Sequence, residues 1–282
     1  MKKLVSSILL LTISFMGYSQ IETPQPSPFA KLEQKVGLTD VTLEYSRPSM
    51  RGRTIFGDLV PYGTLWRTGA NANTKITFSD DVRVDGQSLV AGSYALYTIP
   101  NEESWDVIFY SNTENWGTPQ VWDDTKVAAK ITVKSYPLPF DVQTFTLDIS
   151  NLTNGGATLD LIWEKTYLGI PFTVPTDNKV LASINDVMSG TPTAKDYYAA
   201  AVYYSEENKN IERAKEWIDK AMSMTEKPAY WQLRQQSLIY AKSGNKMEAI
   251  EIAKKSLEGA KEAGNADYVK MNMDSIEEWE GM

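Results

Sequence analysis

Val41-Thr42-Leu43-Glu44-Tyr45-Ser46 and Val82-Arg83-Val84-Asp85-Gly86 decide the fold class. In the first stretch Val41, Leu43 and Tyr45 alternate with Thr42, Glu44 and Ser46, the period of a strand with one buried face. In the second a short alternating run meets Asp-Gly, the pair favoured in two-residue hairpin turns because both central residues take positive φ. Working outward, Ile76 and Phe78 alternate with Lys75 and Thr77. Residues 93–99, 105–110, 129–133, 142–149 and 157–163 read as further strands, and Asn154-Gly155-Gly156 marks the turn between the last two. Short strands separated by Gly, Pro, Asn and Asp turns predict an antiparallel β-sandwich or jelly-roll-like pair of sheets.

The pattern changes after Pro175, and from Thr191 helical spacing replaces the strand period. Thr193 reads as an N-cap with Asp196 in the capping-box position. Helical runs follow at 197–204, 211–224, 230–242, 246–263 and 267–280, with stops at Ser243-Gly244-Asn245 and Gly264-Asn265. Tyr197, Tyr198, Tyr203 and Tyr204 at this spacing are expected to serve the core. Ala214 and Ala249 stand 35 residues apart in similar frames. Small residues recur at the first and eighth positions of each copy. Residues 193–280 therefore resemble a tetratricopeptide repeat, whose period is about 34. The first copy lacks the turn glycine that Gly244 supplies in the second. Two copies and a closing helix bury little core, so this region is expected to pack against the β-domain or a protein partner. The expected layout is a signal peptide (1–19), a β-rich domain (20–175), a linker (176–192) and a helical-repeat domain (193–282). Within the linker, 176–190 also reads as a first helix.

The N-terminus gives an address. Met1-Lys2-Lys3 precedes an apolar run, Leu4 to Phe15, broken only by Ser and Thr. Gly17 and Ser19 then place small residues three and one before a cut after Ser19, the secretory pattern. The run is too short to span a membrane, which takes about 20 apolar residues. Release into the periplasm or the extracellular space is expected, with no transmembrane segment in the mature chain.

Composition narrows the chemistry. Apolar residues make up 42% of the chain, enough for packed cores, and the formal net charge is −8. That balance argues against nucleic acid as a partner. The chain has no cysteine and no histidine. Disulfides, thiolate metal sites, His-ligated zinc and imidazole-based triads are therefore absent. No cofactor or metal is expected.

One stretch concentrates cations in this acidic chain. It carries Arg47, Arg51, Arg53 and Arg67 among Gly and Pro turns, with Trp66 and Tyr62 as ring faces and Asn71 close behind. Guanidinium groups hold carboxylate or phosphate bidentately. The candidate binding residues are Arg47, Arg51, Arg53, Trp66, Arg67 and Asn71. The competing reading is a structural network in which these arginines pair with Glu44, Asp58 or Glu164. Arg51, beside Gly52, is expected to be the more structural member, and Arg47 and Arg67 the more open ones. Trp105, Trp116, Trp122 and Trp163 are expected in the core or on a sheet face.

The motifs Tyr45-Ser46-Arg47-Pro48, Arg51-Gly52-Arg53, Trp66-Arg67-Thr68-Gly69-Ala70-Asn71 and Ala91-Gly92-Ser93-Tyr94, together with Thr98-Ile99-Pro100 and Trp163-Glu164-Lys165-Thr166, resemble the domain-of-unknown-function family numbered 2911, found in exported bacterial proteins. The resemblance covers about 28–173. It implies a β-rich exported domain and carries no catalytic residue. The expected function is an exported binding or interaction protein. An Arg- and aromatic-lined surface on the β-domain would meet an anionic ligand or glycan, and the helical repeats a partner. The alternative is a carboxylate-based hydrolase of envelope carbohydrate, which needs only two carboxyl groups at a suitable separation.

Overall fold

The computed structural model describes residues 23–281. The export segment at 1–19 and its cut lie outside the described residues. The chain divides into two compact units, one ending at Thr176 and the other beginning at Asp177.

The first unit is a sandwich of two antiparallel sheets. Strands β1 (Phe29–Val36), β2 (Thr39–Ser46), β3 (Ala70–Phe78), β6 (Gly92–Ile99), β7 (Ser104–Tyr110) and β8 (Val127–Lys134) form one sheet in that order. Strands β5 (Gln87–Leu89), β4 (Val82–Val84), β10 (Gly156–Thr173) and β9 (Tyr136–Ser150) form the other. The larger sheet is a meander interrupted once, where the β4–β5 hairpin crosses to the smaller sheet. Asp85 (φ 47°) and Gly86 (φ 77°) make the turn of that hairpin, as the Asp-Gly pair predicts. The Gln87 side chain donates to Lys130 O at 2.6 Å and accepts from Lys130 N–H at 3.3 Å, joining β5 to β8.

Period-two patterning builds the core between the sheets. Val41, Leu43 and Tyr45 are buried on β2, and their neighbours Asp40, Thr42 and Glu44 are not. Leu147, Leu159 and Leu161 meet them from β9 and β10. The Tyr45 hydroxyl donates to Leu147 O at 3.0 Å and satisfies its own polar tip inside the core. Central strands β6 and β7 are buried on both faces. Tyr94, Leu96, Trp105, Val107 and Phe109 join the inner core. Ala95, Tyr97, Ile108 and Tyr110 form a second small cluster on the outer face with Leu65 and Trp122.

The second unit is helical. Within the stretch expected as a linker, Thr176–Met188 form helix α1, the other reading of that segment. Then follow α2 (Ala194–Glu206), α3 (Ile211–Ser223), α4 (Tyr230–Lys242), α5 (Lys246–Glu262) and α6 (Ala266–Glu280). Thr193 and Asp196 form the expected capping box. Ala214 and Ala249, the equivalent small residues of the two copies, are both fully buried, as are Ala221 and Ser256 at the second small position. Without bulk at these points, the helices approach closely. Gly244 leaves α4 at φ 84° and Gly264 leaves α5 at φ 67°; after α2 the same left-handed role falls to Asn208 at φ 50°. Asn is the side chain best able to replace glycine there, so the first copy closes its turn without one. Tyr198 and Tyr204 pack against the buried Ala201–Ala214–Ile218–Ile239 cluster.

Candidate functional site

Residues 47–69 connect β2 to β3 and contain all four arginines of the candidate segment. Their apolar side chains, Met50, Ile55, Phe56 and Val60, enter the sandwich core. Main-chain bonds fasten the segment to both sheets. Met50 N–H donates to Gln143 O at 2.8 Å, and Phe145 N–H to Pro48 O at 2.9 Å. Trp66 and Thr98 exchange both backbone bonds, at 2.7 and 3.0 Å. The Glu164 carboxylate accepts from the Ile55 and Phe56 N–H groups at 3.0 and 3.2 Å. Glu164 itself has a φ of 52° at a register shift between β9 and β10. The bulge re-aims its side chain toward the segment.

The arginines hold their own chain. Arg47 donates to Phe145 O at 3.0 Å and Thr146 Oγ1 at 2.7 Å, with its guanidinium 6.0 Å from the Tyr45 ring centre. Arg53 donates to Met50 O at 2.9 Å and Ser49 O at 2.7 Å. Among the described residues, Arg51 makes one bond, to Pro26 O at 2.9 Å, and Arg67 makes one, to Asn71 O at 3.3 Å. The expected carboxylate pairing is not what the geometry gives. Glu44 faces Lys75 at 3.9 Å and Glu164 takes main-chain donors. Nor is Arg51 the anchored member. It stands exposed at φ 51° beside Gly52 at φ 73°, while Arg47 and Arg67 are half-buried. A residue at the outer corner of such a turn points its side chain away from the sheet.

The other candidate residues separate in the same way. Trp66 belongs to an aromatic nest, stacked on Trp163 at 5.9 Å and edge-on to Trp105, Phe56 and Phe145 at 6.2, 6.0 and 5.3 Å. Such pairs add about 0.5–1.5 kcal/mol each beyond burial, so Trp66 serves stability. Asn71, at φ 60°, donates to Ser27 O and Ser46 Oγ, both at 3.2 Å. Gly69, at φ 146°, has no room for a side chain: a Cβ there would lie 2.8 Å from Thr74 Oγ1. Arg67 and Asn71 are thus brought together across a tight bend, Arg51 and Asn71 reach the adjacent carbonyls of Pro26 and Ser27, and Arg47 and Arg53 bond other carbonyls. Trp105 and Trp163 lie in the core, and Trp122 stacks on Tyr110 at 4.5 Å. Trp116 departs from the expectation: it is 76% exposed, in the connection between β7 and β8. A large aromatic side chain held outside is invisible to periodicity.

Carboxylates also open onto a hollow of about 400 Å³ in the β-unit, bordered by Glu102, Glu103, Lys134, Tyr136 and Lys165. Both glutamates are exposed and adjacent in sequence. A glycosidase pair instead faces across a substrate, with its acid in an apolar setting.

The helical unit holds a cavity of about 450 Å³. Glu206 of α2, Leu238 and Lys242 of α4, and Ser275 and Trp279 of α6 border it. Lys242 Nζ donates to Ser205 O at 2.6 Å, capping the end of α2. Beside Ser275 stands Arg234, half-buried on α4. It donates to Asn272 Oδ1 and Ser275 Oγ, all at 3.3 Å, and forms no ion pair among the described residues. Burial lowers its pKa, with Tyr268 and Asp274 acting in the opposite direction. Sequence reading passed over Arg234 because one arginine in a helical run carries no distinguishing pattern.

The family described as a protein of unknown function, DUF2911, matches residues 27–172. The chain belongs to that family. The match spans the sandwich and ends before α1, so the helical unit lies outside it. No curated protein and no solved structure matches the chain. In this DUF2911 member the motif Trp66-Arg67-Thr68-Gly69-Ala70-Asn71 builds a bend of three positive-φ residues, Thr68, Gly69 and Asn71. Much of the motif is therefore accounted for by backbone geometry.

Proposed function

We propose that this protein is an exported binding protein whose helical unit holds a partner carrying acidic groups. The observation that carries the reading is Arg234, a half-buried guanidinium whose hydrogen-bond acceptors are the neutral Asn272 and Ser275, beside the cavity bordered by α2, α4 and α6. A charge partly withdrawn from water is costly, and a carboxylate from a partner in direct contact would add to the field of the nearby Asp274 in compensating it. The apolar stem of the site, Leu238 and Trp279, gives that partner a surface to cover. On the β-unit, the arginine segment supplies a second surface, with Arg67 its ligand-facing member. Export rests on the Met1–Ser19 sequence.

The test uses the chain from Gln20 to Met282 and fluorescent peptides rich in Asp and Glu, beside matched peptides carrying Asn and Gln. Acidic peptides should bind more tightly, and added salt should weaken them. Arg234→Gln should lower that affinity about tenfold or more while helix content by circular dichroism stays the same. Equal binding of both peptide sets, or an Arg234→Gln variant that binds as the parent does, would overturn the reading.

A further inference from the structure

The connection between β7 and β8 carries the most exposed tryptophan described, yet its backbone is fixed. Trp116 pairs with Ala72 in an isolated antiparallel bridge. Asn73 N–H donates to Asn115 O at 3.2 Å, and Asn115 N–H donates to Asn73 Oδ1 at 3.0 Å. Asn73 Nδ2 reaches Tyr97 Oη at 2.8 Å and Gly117 O at 3.0 Å. Asn73 and Tyr97 are both buried. Residues 115–117 are thus bonded from beneath on both sides of Trp116, and the indole stands on a rigid base. A backbone that is already fixed has less conformational entropy to lose on binding.

Arg67 lies against the same base. Gly117, at φ 90°, is glycine for a packing reason as well as a backbone one: a Cβ there would sit 3.1 Å from Arg67 Nη1. The guanidinium is therefore one residue from Trp116. Its one hydrogen bond, to Asn71 O, leaves most of its five N–H donors open. Among the described residues it has no carboxylate partner. The buried Asn115 amide, next to the indole in sequence, lies against the Tyr97 hydroxyl.

We propose that Trp116 and Arg67 form a binding site for an acidic sugar, the indole stacking on the C–H face of the ring and the guanidinium holding its carboxylate. Three observations select this class. First, the apolar contact is the size of one ring. A tryptophan offers about 150–250 Å², whereas a stable protein interface needs about 800 Å² from each side. The sequence neighbours Asn112, Thr113, Glu114 and Thr118 are polar, and the nearest other exposed apolar side chain in this connection is Val121. Second, a planar guanidinium with free donors matches a carboxylate in two parallel bonds. Third, the protein is acidic as a whole, at −8, so an anionic ligand needs a local cation to be held. This site rests on the reading of Arg67 as ligand-facing and is separate from the helical cavity.

The experiment is calorimetric titration of the chain from Gln20 to Met282 with an oligomer of galacturonic acid. The methyl ester of the same oligomer and inorganic phosphate are titrated in parallel. The acid oligomer should bind at millimolar concentration or better. Trp116→Ala should weaken it at least tenfold, and Trp116→Phe should keep most of the affinity. Arg67→Gln should weaken the acid oligomer about tenfold and leave the ester unchanged. Because Arg67 is half-buried, its variant is compared with Arg67→Lys at matched thermal stability. No binding of the acid oligomer to the parent overturns the proposal. So does binding that Trp116→Ala leaves intact, or binding of phosphate alone. Acidic-peptide binding, measured through Arg234→Gln, reports on the helical cavity independently, so the two failures are distinguishable.

Discussion

Arg47 and Arg51 stand close together in sequence and are held by opposite means. Arg47 gives two hydrogen bonds to β9 and lies over Tyr45. Arg51 gives one bond and is exposed at a left-handed φ of 51°. Hydrogen bonds from a charged donor are worth about 1.5–3 kcal/mol where they are sheltered. Arg47→Ala should therefore lower unfolding free energy by about 1–3 kcal/mol, measured in urea at neutral pH. Arg51→Ala should change it by about 0.5 kcal/mol or less. Arg51→Gly should be neutral or stabilising, because glycine adopts positive φ without steric cost. Equal losses at both positions would contradict the assignment. The sequence shows four arginines alike; it does not show which carbonyl oxygens they find, since Arg47 and Phe145 lie 98 residues apart.

Elements were legible where the signal is local. The β4–β5 turn, the turn at Asn154-Gly155-Gly156 and the helices from α2 to α6 follow from dipeptides, caps and periodicity. Thr193 N–H and its hydroxyl both reach Asp196 Oδ2, at 2.8 and 2.6 Å, while Asp196 N–H reaches back to Thr193 Oγ1. Loss of such a cap costs about 1 kcal/mol. Thr193→Ala should lower stability by about that amount, and Thr193→Ser should not; thermal melts followed at the helical signal separate them. Identical melting of both variants would mean that α2 does not depend on the cap. One strand escaped the pattern and another reads too short in it. On β1, Ala30 and Gln34 occupy half-buried positions and blur the alternation with Lys31, Glu33 and Lys35. On β10, the bulge at Glu164 shifts the register, so the strand continues to Thr173 beyond the point where simple alternation ends.

At the scale of the molecule, the address is a matter of sequence. No described helix is long and apolar enough to cross a membrane. The lysines and small residues of the first 19 positions predict removal of that segment. N-terminal sequencing of the protein recovered from a cell-envelope fraction should read Gln20-Ile21-Glu22. A chain that still begins at Met1 would refute export by this route.

The sequence by itself determined the change from strands to helices, the hairpin and helix-end positions, the buried alanines of the repeat and the absence of thiol and imidazole chemistry. Each of these depends on a residue and its near neighbours, or on composition alone. Tertiary structure decided the rest. It took Trp66 into the aromatic nest with Trp105 and Trp163 and left Trp116 outside on a base built by Asn73 and Tyr97. It turned Glu164 onto main-chain donors and gave Arg67 and Arg234 neutral hydrogen-bond acceptors. The physical reason is the same throughout. Whether a polar or aromatic side chain is spent on the fold or left to meet a ligand depends on which distant groups the sheets and helices bring within about 3 Å of it, and no local pattern carries that information.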